Sequence, residues 1–262
     1  MNLQRVRTIV DKEWAEVFKN RLVLFTVVFL PLLFTALPLG VLYGTRSAAG
    51  GTGGDLPPSF LKICGSLNTG DCLQYYILNQ FLILFMIMPL IIPISIAAYS
   101  IVGEKTTRSL EPLLATPIST LELLVGKSLA ATIPAVLATW AGFTVFLAAA
   151  PFVGTAAAVI RQVLTPTWLL AVFVIGPLMA VLAVNFAVLV SSRVNDPRAA
   201  EQISAVLIVP LLAVFFGQIA GVIVLNPGFM LVAAIVLLIV DIGVAFLGVR
   251  LFQRETILTK WK

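Results

Sequence analysis

The sequence predicts an all-α integral membrane protein with six transmembrane helices, and three observations carry that expectation. Hydrophobic residues fill 60% of the 262 positions and charged residues only 11%, less than half the charge of an ordinary soluble domain. The mean hydropathy is +1.07, too high for a charged coat around a water-soluble core. Finally, the apolar residues fall into six stretches, 22–43, 76–102, 125–150, 167–190, 202–225 and 229–250. At about 1.5 Å per residue, each reaches across a hydrocarbon core of roughly 30 Å. A bilayer gives backbone groups no water, so the stretches close their hydrogen bonds as helices. The first is read as a span rather than a cleaved signal peptide, because it is too long and follows twenty mostly polar residues.

Two absences narrow the chemistry. There is no His, so His-Glu-x-x-His zinc sites and His-dependent triads are excluded. Two Cys are too few for a tetrahedral thiolate metal site.

Lys and Arg set the orientation. Fourteen of the 17 basic residues fall on one side: Arg5, Arg7, Lys12, Lys19 and Arg21 at the start, Lys105, Arg108, Lys127, Arg193 and Arg198 in two loops, and Arg250, Arg254, Lys260 and Lys262 at the end. Arg46, Lys62 and Arg161 fall on the other. A bacterial or archaeal plasma membrane is expected, and the bias predicts a multi-pass protein with both termini cytoplasmic. The net charge of +5 is then a topology signal, and nucleic acid is not expected as a partner. Tyr43, Tyr75, Tyr76 and Trp168 fall at outer helix ends, and Trp14 and Trp261 at the inner interface, as an aromatic belt would.

In residues 1–20, Leu3, Val6, Ile9, Val10, Trp14, Val17 and Phe18 recur at helical spacing, with Arg7, Asp11, Lys12, Glu16 and Lys19 between them. This predicts an amphipathic helix in the cytoplasmic interface; the alternative is a solvated helix packed on a partner. The extracytoplasmic loop 44–75 is Gly- and Pro-rich in its first half and holds Cys64 and Cys72 in its second. Outside the membrane the two Cys either form a structural disulfide or stay free thiols.

The cytoplasmic segment 103–120 is the most informative. It predicts a short helix bounded by Pro117. Leu110, Leu113 and Leu114 fall on one face at i, i+3 and i+4, and Glu104, Arg108 and Glu111 on another. An apolar ridge with charged flanks suits docking into a groove of a soluble partner. The bland alternative is a connector resting on the headgroups.

The string Glu-Lys-Thr-Thr-Arg-Ser-Leu-Glu-Pro-Leu-Leu-Ala-Thr-Pro-Ile-Ser, residues 104–119, resembles the signature of the type-2 ATP-binding-cassette (ABC) exporter permeases. The likeness continues through Ser191 to Gln202 and at Arg250 to Glu255, so it covers essentially the whole chain as a single permease domain. Arg108 departs from the usual Gly of that signature. The resemblance implies a membrane subunit without enzymatic activity, paired with a second permease chain, identical or related, in the surrounding lipid. Two copies of a cytoplasmic ABC ATPase would bind beneath and would hold ATP and Mg; the chain itself holds no cofactor and no metal. Segment 103–120 would be the coupling helix between spans two and three, with Leu110, Leu113, Leu114 and Pro117 as its apolar seat and Glu104, Arg108 and Glu111 as polar contacts. A second cytoplasmic loop, 191–201, would add a smaller contact through Arg193, Asp196, Arg198 and Glu201. Its Asp196-Pro197 pair also reads as a helix N-cap followed by Pro at the first helical position. The tail 251–262 is cytoplasmic.

Gly126-Lys127-Ser128 looks like the end of a P-loop, but Leu121 stands where the pattern needs its first Gly. Asp241 is the only acid inside a span, and reads as a substrate, cation or proton group, as a structural hydrogen bond to a residue such as Asn185 or Gln218, or as a protonated and silent carboxyl. Prolines recur inside spans, with Pro89 and Pro93 one turn apart in span two; they read either as a kink that carries motion from the coupling segment or as fixed bends that shape the packing. Gly217 and Gly221 raise a short re-entrant helix at the end of span five. An ion- or proton-coupled secondary transporter is the alternative; it predicts an internal repeat, and residues 1–125 and 126–262 show none.

Overall fold

The computed structural model describes residues 2–45, 69–106 and 118–251. All elements within them are helical. Helix α1 is Leu3–Val17 and α2 is Arg21–Thr45; α3 (Thr69–Phe85) and α4 (Met88–Thr106) together make span two; α5 is Thr120–Ala149. A short α6 (Ala157–Val163) precedes span four, built from α7 (Pro166–Leu170), a π segment (Ala171–Ile175) and α8 (Gly176–Arg193). Span five joins α9 (Pro197–Ser204), a 3₁₀ turn and α10 (Ile208–Ile219); α11 is Pro227–Leu251. Six helices are long and apolar enough to cross a membrane, in the order the hydropathy pattern predicts.

Span two is the centre of the bundle. In its most apolar window 83% of residues are buried, against 11% in spans five and six. Helix α4 packs on α8 and α5, α5 carries α1 and α2, and α8 carries α11. Trp168 and Tyr75 are buried in this packing, whereas Tyr43 is exposed. The belt reading of Trp168 and Tyr75 is therefore corrected: those helix ends pack on neighbouring spans and turn their rings inward.

Proline sets the irregularities. Span two breaks at Met86–Ile87, where 3₁₀-type bonds run from Met86 N to Ile83 O (3.0 Å) and from Ile87 N to Leu84 O (2.9 Å). Pro89 sits just inside the new helix, where its missing N–H falls among donors that have no partner anyway. In span four, Pro177 has no N–H and its ring crowds the preceding turn. The turn widens into the π segment, and Gly176 N bonds back to Ala171 O. That leaves the Val172 carbonyl without a helical donor, and Trp140 Nε1 of α5 donates to it at 3.1 Å. One proline thus creates the acceptor that ties spans three and four together.

Span five ends differently from the re-entrant helix expected near Gly217 and Gly221. Helix α10 stops at Ile219, and Gly221 turns the chain at φ 72°. Val222 N bonds to Gly217 O (2.9 Å) and Gly221 N to Gln218 O (3.0 Å), which is a Schellman stop. Ile223 folds back over Gly217, so close that a Cβ there would stand 2.6 Å from Ile223 Cδ1. Residues 222–226 then run without helix to α11.

Candidate functional site

The residues that bracket segment 107–117 are held by α1. Val6, Ile9, Val10 and Val17 are buried, so the apolar stripe of α1 faces the chain's own α5 and α4. The burial of each such side chain is worth roughly 1.5–3 kcal/mol against water. The approach is close because residue 126 is Gly: a Cβ there would lie 2.7 Å from Ile9 Cγ2. Trp14 Nε1 then reaches Ala130 O at 2.9 Å.

Within this contact lies a buried charge cluster. Glu13, Lys127 and Glu104 are 3%, 6% and 5% exposed. Lys127 Nζ lies 2.7 Å from Glu13 Oε1 and 2.8 Å from Glu104 Oε2. Its third donor goes to Ser100 Oγ at 2.8 Å, and the Ser100 hydroxyl donates to Glu13. Lys12 Nζ closes the ring at 2.6 Å from Glu104 Oε1. An isolated buried charge is very unfavourable, and this cluster is tenable because the lysine donors and carboxylate oxygens are matched. Lys12 lies at the rim. Burial pulls its pKa down, but the hydrogen bond to Glu104 and the carboxylates of Glu104, Glu13 and Glu16 outweigh it, so the pKa is raised above 10.5.

The start of α5 is tied to the same helix. Ser119 and Glu122 form a capping box on α5. Glu122 Oε1 also accepts from Asn2 N at 2.8 Å, and Arg5 stands 3.7 Å from Glu122 Oε2. On the other flank, Lys105 donates to Ser192 O (3.3 Å) and Val194 O (3.4 Å) at the end of α8. The last turn of α4 is therefore gripped by α1, α5 and α8, and the first turn of α5 by α1.

Of the residues expected to meet a partner, Arg108, Leu110, Glu111, Leu113, Leu114 and Pro117 lie outside the described residues, as do Cys64 and Trp261. Cys72 is disulfide-bonded. Glu104 is turned inward to Lys127 and Lys12, which corrects its expected place on a solvent-facing docking face. Arg193, Asp196 and Arg198 are exposed. Asp196 caps α9 by accepting from Ala199 N at 3.0 Å, and Glu201 accepts from Ser95 Oγ of α4. Lys127, the tail of the false P-loop, is an ion-pair donor.

Asp241 is 5% exposed, and neither carboxylate oxygen accepts a hydrogen bond. The expected structural bond to Asn185 or Gln218 is not made: Ser128 is the partner of Asn185 at 3.5 Å, and Gln218 Oε1 is itself unpartnered. One turn earlier, Leu237 lines an apolar cavity of about 380 Å³ among spans two, four, five and six, with Met86, Trp168, Met179 and Met230 in its wall. Among the described residues, no three carboxylate or thiol groups come together as metal ligands.

Sequence reasoning missed Glu13, Ser100, Lys127 and Glu122. The signal was present for two of them. Glu13 falls on the Ile9–Val10–Val17 stripe, and Lys127 interrupts the apolar entry of span three.

A six-helix bundle buried at its centre and apolar outside is an integral membrane protein. The chain belongs to the ABC-2 family transporter proteins, whose family pattern matches residues 7–246. It is thus a membrane permease of the ABC class, a class that works with ABC ATPase subunits. No curated protein matches the chain.

Proposed function

We propose that the chain is the membrane-spanning permease subunit of an ATP-driven exporter in the plasma membrane. Two permease chains, identical or related, would form the translocation path. Two ATPase subunits, holding ATP and Mg, would dock at the end of the bundle where α1 packs, on its cytoplasmic side. The chain itself would perform no catalysis. The single observation that supports this reading most is the double anchorage of segment 107–117: Glu104 before it and Glu122 after it are both bound by α1. A displacement of that segment by a closing ATPase dimer would move α1, α4 and α5 as one body, and α4 is the bundle centre. Such a linkage is what a two-state pump requires. Leu110, Leu113, Leu114 and Pro117 would form the seat, with Arg108 and Glu111 at its edge. Glu104 would act as an internal tether. Arg193, Asp196 and Arg198 would offer a second, smaller contact. Asp241 would mark a polar point beside the path.

The test is co-purification of the chain with the ABC ATPase encoded beside it. The expected result is that wild type retains the ATPase and Leu113→Asp loses it. Retention by both variants would remove the seat from the proposal, and absence of any ATPase would remove the exporter reading.

A further inference from the structure

We propose that the chain binds one zwitterionic, amine-headed phospholipid between α2, α4 and α9, in the leaflet at the α1 end of the bundle. A pocket of about 490 Å³ lies there, and its lining changes character along the bundle axis. Tyr99, Arg198 and Glu201 line one end, and Ile91 and Ile208 the other, with Phe25 of α2 as the side wall. Ile91 lies about 12 Å deeper than Tyr99 along α4, and Ile208 about 15 Å deeper than Arg198 along α9 and α10, at about 1.5 Å per residue. The two helical segments run in opposite directions, so both gradients point the same way: charged at the bundle end, apolar inward. A phospholipid of that leaflet has the same polarity in the same sense.

The charges specify the head. Arg198 is exposed and has no carboxylate partner among the described residues. Its planar fork fits a phosphodiester. Glu201, nearly one turn on, is half-buried and anchored by the Ser95 hydroxyl, which leaves acceptor positions for an ammonium. One positive and one negative group leave the pocket with no net charge, which suits a zwitterion over an anionic lipid. Pockets between spans with a basic residue at headgroup depth are a general solution for lipid heads. The isoleucine end takes the first part of an acyl chain, which a free phosphate does not have. The inference takes from the permease reading only the leaflet concerned.

Native mass spectrometry of the full chain in detergent tests it, with phosphatidylethanolamine, phosphatidylglycerol and glycerophosphoethanolamine as probes. The expected result is one phosphatidylethanolamine per chain, bound about tenfold more weakly by Arg198→Ala. Arg193→Ala, which removes the same charge at the same bundle end outside this pocket, should bind as wild type does. Glu201→Gln should abolish the preference over phosphatidylglycerol. Unchanged binding by Arg198→Ala overturns the proposal, and so does equal weakening in both arginine variants, which would mean general charge attraction. Full competition by glycerophosphoethanolamine overturns the lipid in favour of a headgroup-only site. A lipid-free dimer that Arg198→Ala dissolves overturns it in favour of a contact between copies. No ATPase and no transport enter the measurement, so its failure leaves the permease reading standing.

Discussion

Lys127 and Glu13 are 114 residues apart in sequence, yet their charged atoms meet at 2.7 Å with both side chains almost fully buried. The pair joins α1 to the first turns of α5, and Glu104 adds the end of α4 to the same ammonium. Removing Lys127 leaves two buried carboxylates sharing only the rim lysine, Lys12. Lys127→Ala should therefore destabilise the detergent-purified chain by about 3–5 kcal/mol, the usual loss when one partner of a buried pair is deleted. Thermal unfolding checks this. A Glu13→Gln, Lys127→Met double variant should recover part of the loss, because less charge is then stranded; a double variant as unstable as the sum of its singles would contradict the coupling.

The contact between Gly126 and Ile9 predicts a sign-reversing pair. Gly126→Ala places a methyl 2.7 Å from Ile9 Cγ2, and overpacking of this kind typically costs about 1–3 kcal/mol. Protease cleavage within residues 1–17 should become faster. Ile9→Ala alone loses packing, but in the Gly126→Ala background it should slow cleavage again. A double-mutant cycle with no coupling would refute the close approach.

Trp140→Phe keeps an aromatic six-membered ring but removes the pyrrole ring with the N–H that serves Val172 O. At membrane depth no water replaces it, and interhelical hydrogen bonds there average about 0.6 kcal/mol with a maximum near 1.7. A loss within that range in reversible unfolding is expected. Pro177→Ala supplies a donor and lets the helix close its own bond, so Trp140→Phe should cost less in that background.

Attachment of α1 should be insensitive to pH over the physiological range. The pKa of Lys12 is raised in the folded chain, so its contribution is complete below the ordinary lysine value of 10.5 and is lost only as pH rises through the still higher folded value. Hydrogen exchange of the α1 amides, corrected for intrinsic rates, should give constant protection from about pH 6 to about pH 9, all of it below the ordinary lysine value. A protection change inside that window would point to a different titrating group.

The spans were legible because their signal is long and continuous: twenty or more apolar residues can hardly be read otherwise. The cap at Asp196–Pro197 was legible because it is local. The tether was not, because it consists of single charged residues on three helices whose contact depends on how the spans pack. Glu104 illustrates the limit. By periodicity it belongs with Arg108 and Glu111 on a polar face, but α4 runs into the bundle centre and turns its last carboxylate toward Lys127. The end of span five failed in the opposite way: Gly217 and Gly221 suggested a re-entrant helix, and the close fit of Ile223 over Gly217 made them a stop signal.

The tether also imposes an order on biosynthesis. Helix α1 leaves the ribosome before α4 and α5, but the surface that receives it is made of Ser100, Glu104, Gly126, Lys127 and Ala130. With 114 residues between Glu13 and Lys127 and synthesis at about 5–20 residues per second, its counter-charge arrives on the order of ten seconds later. During that interval α5, on which the apolar stripe of α1 packs, is not yet made, and the bilayer surface is an environment that can shelter the stripe. Docking of α1 is then a late event, possible only once the end of span two and the start of span three are in place.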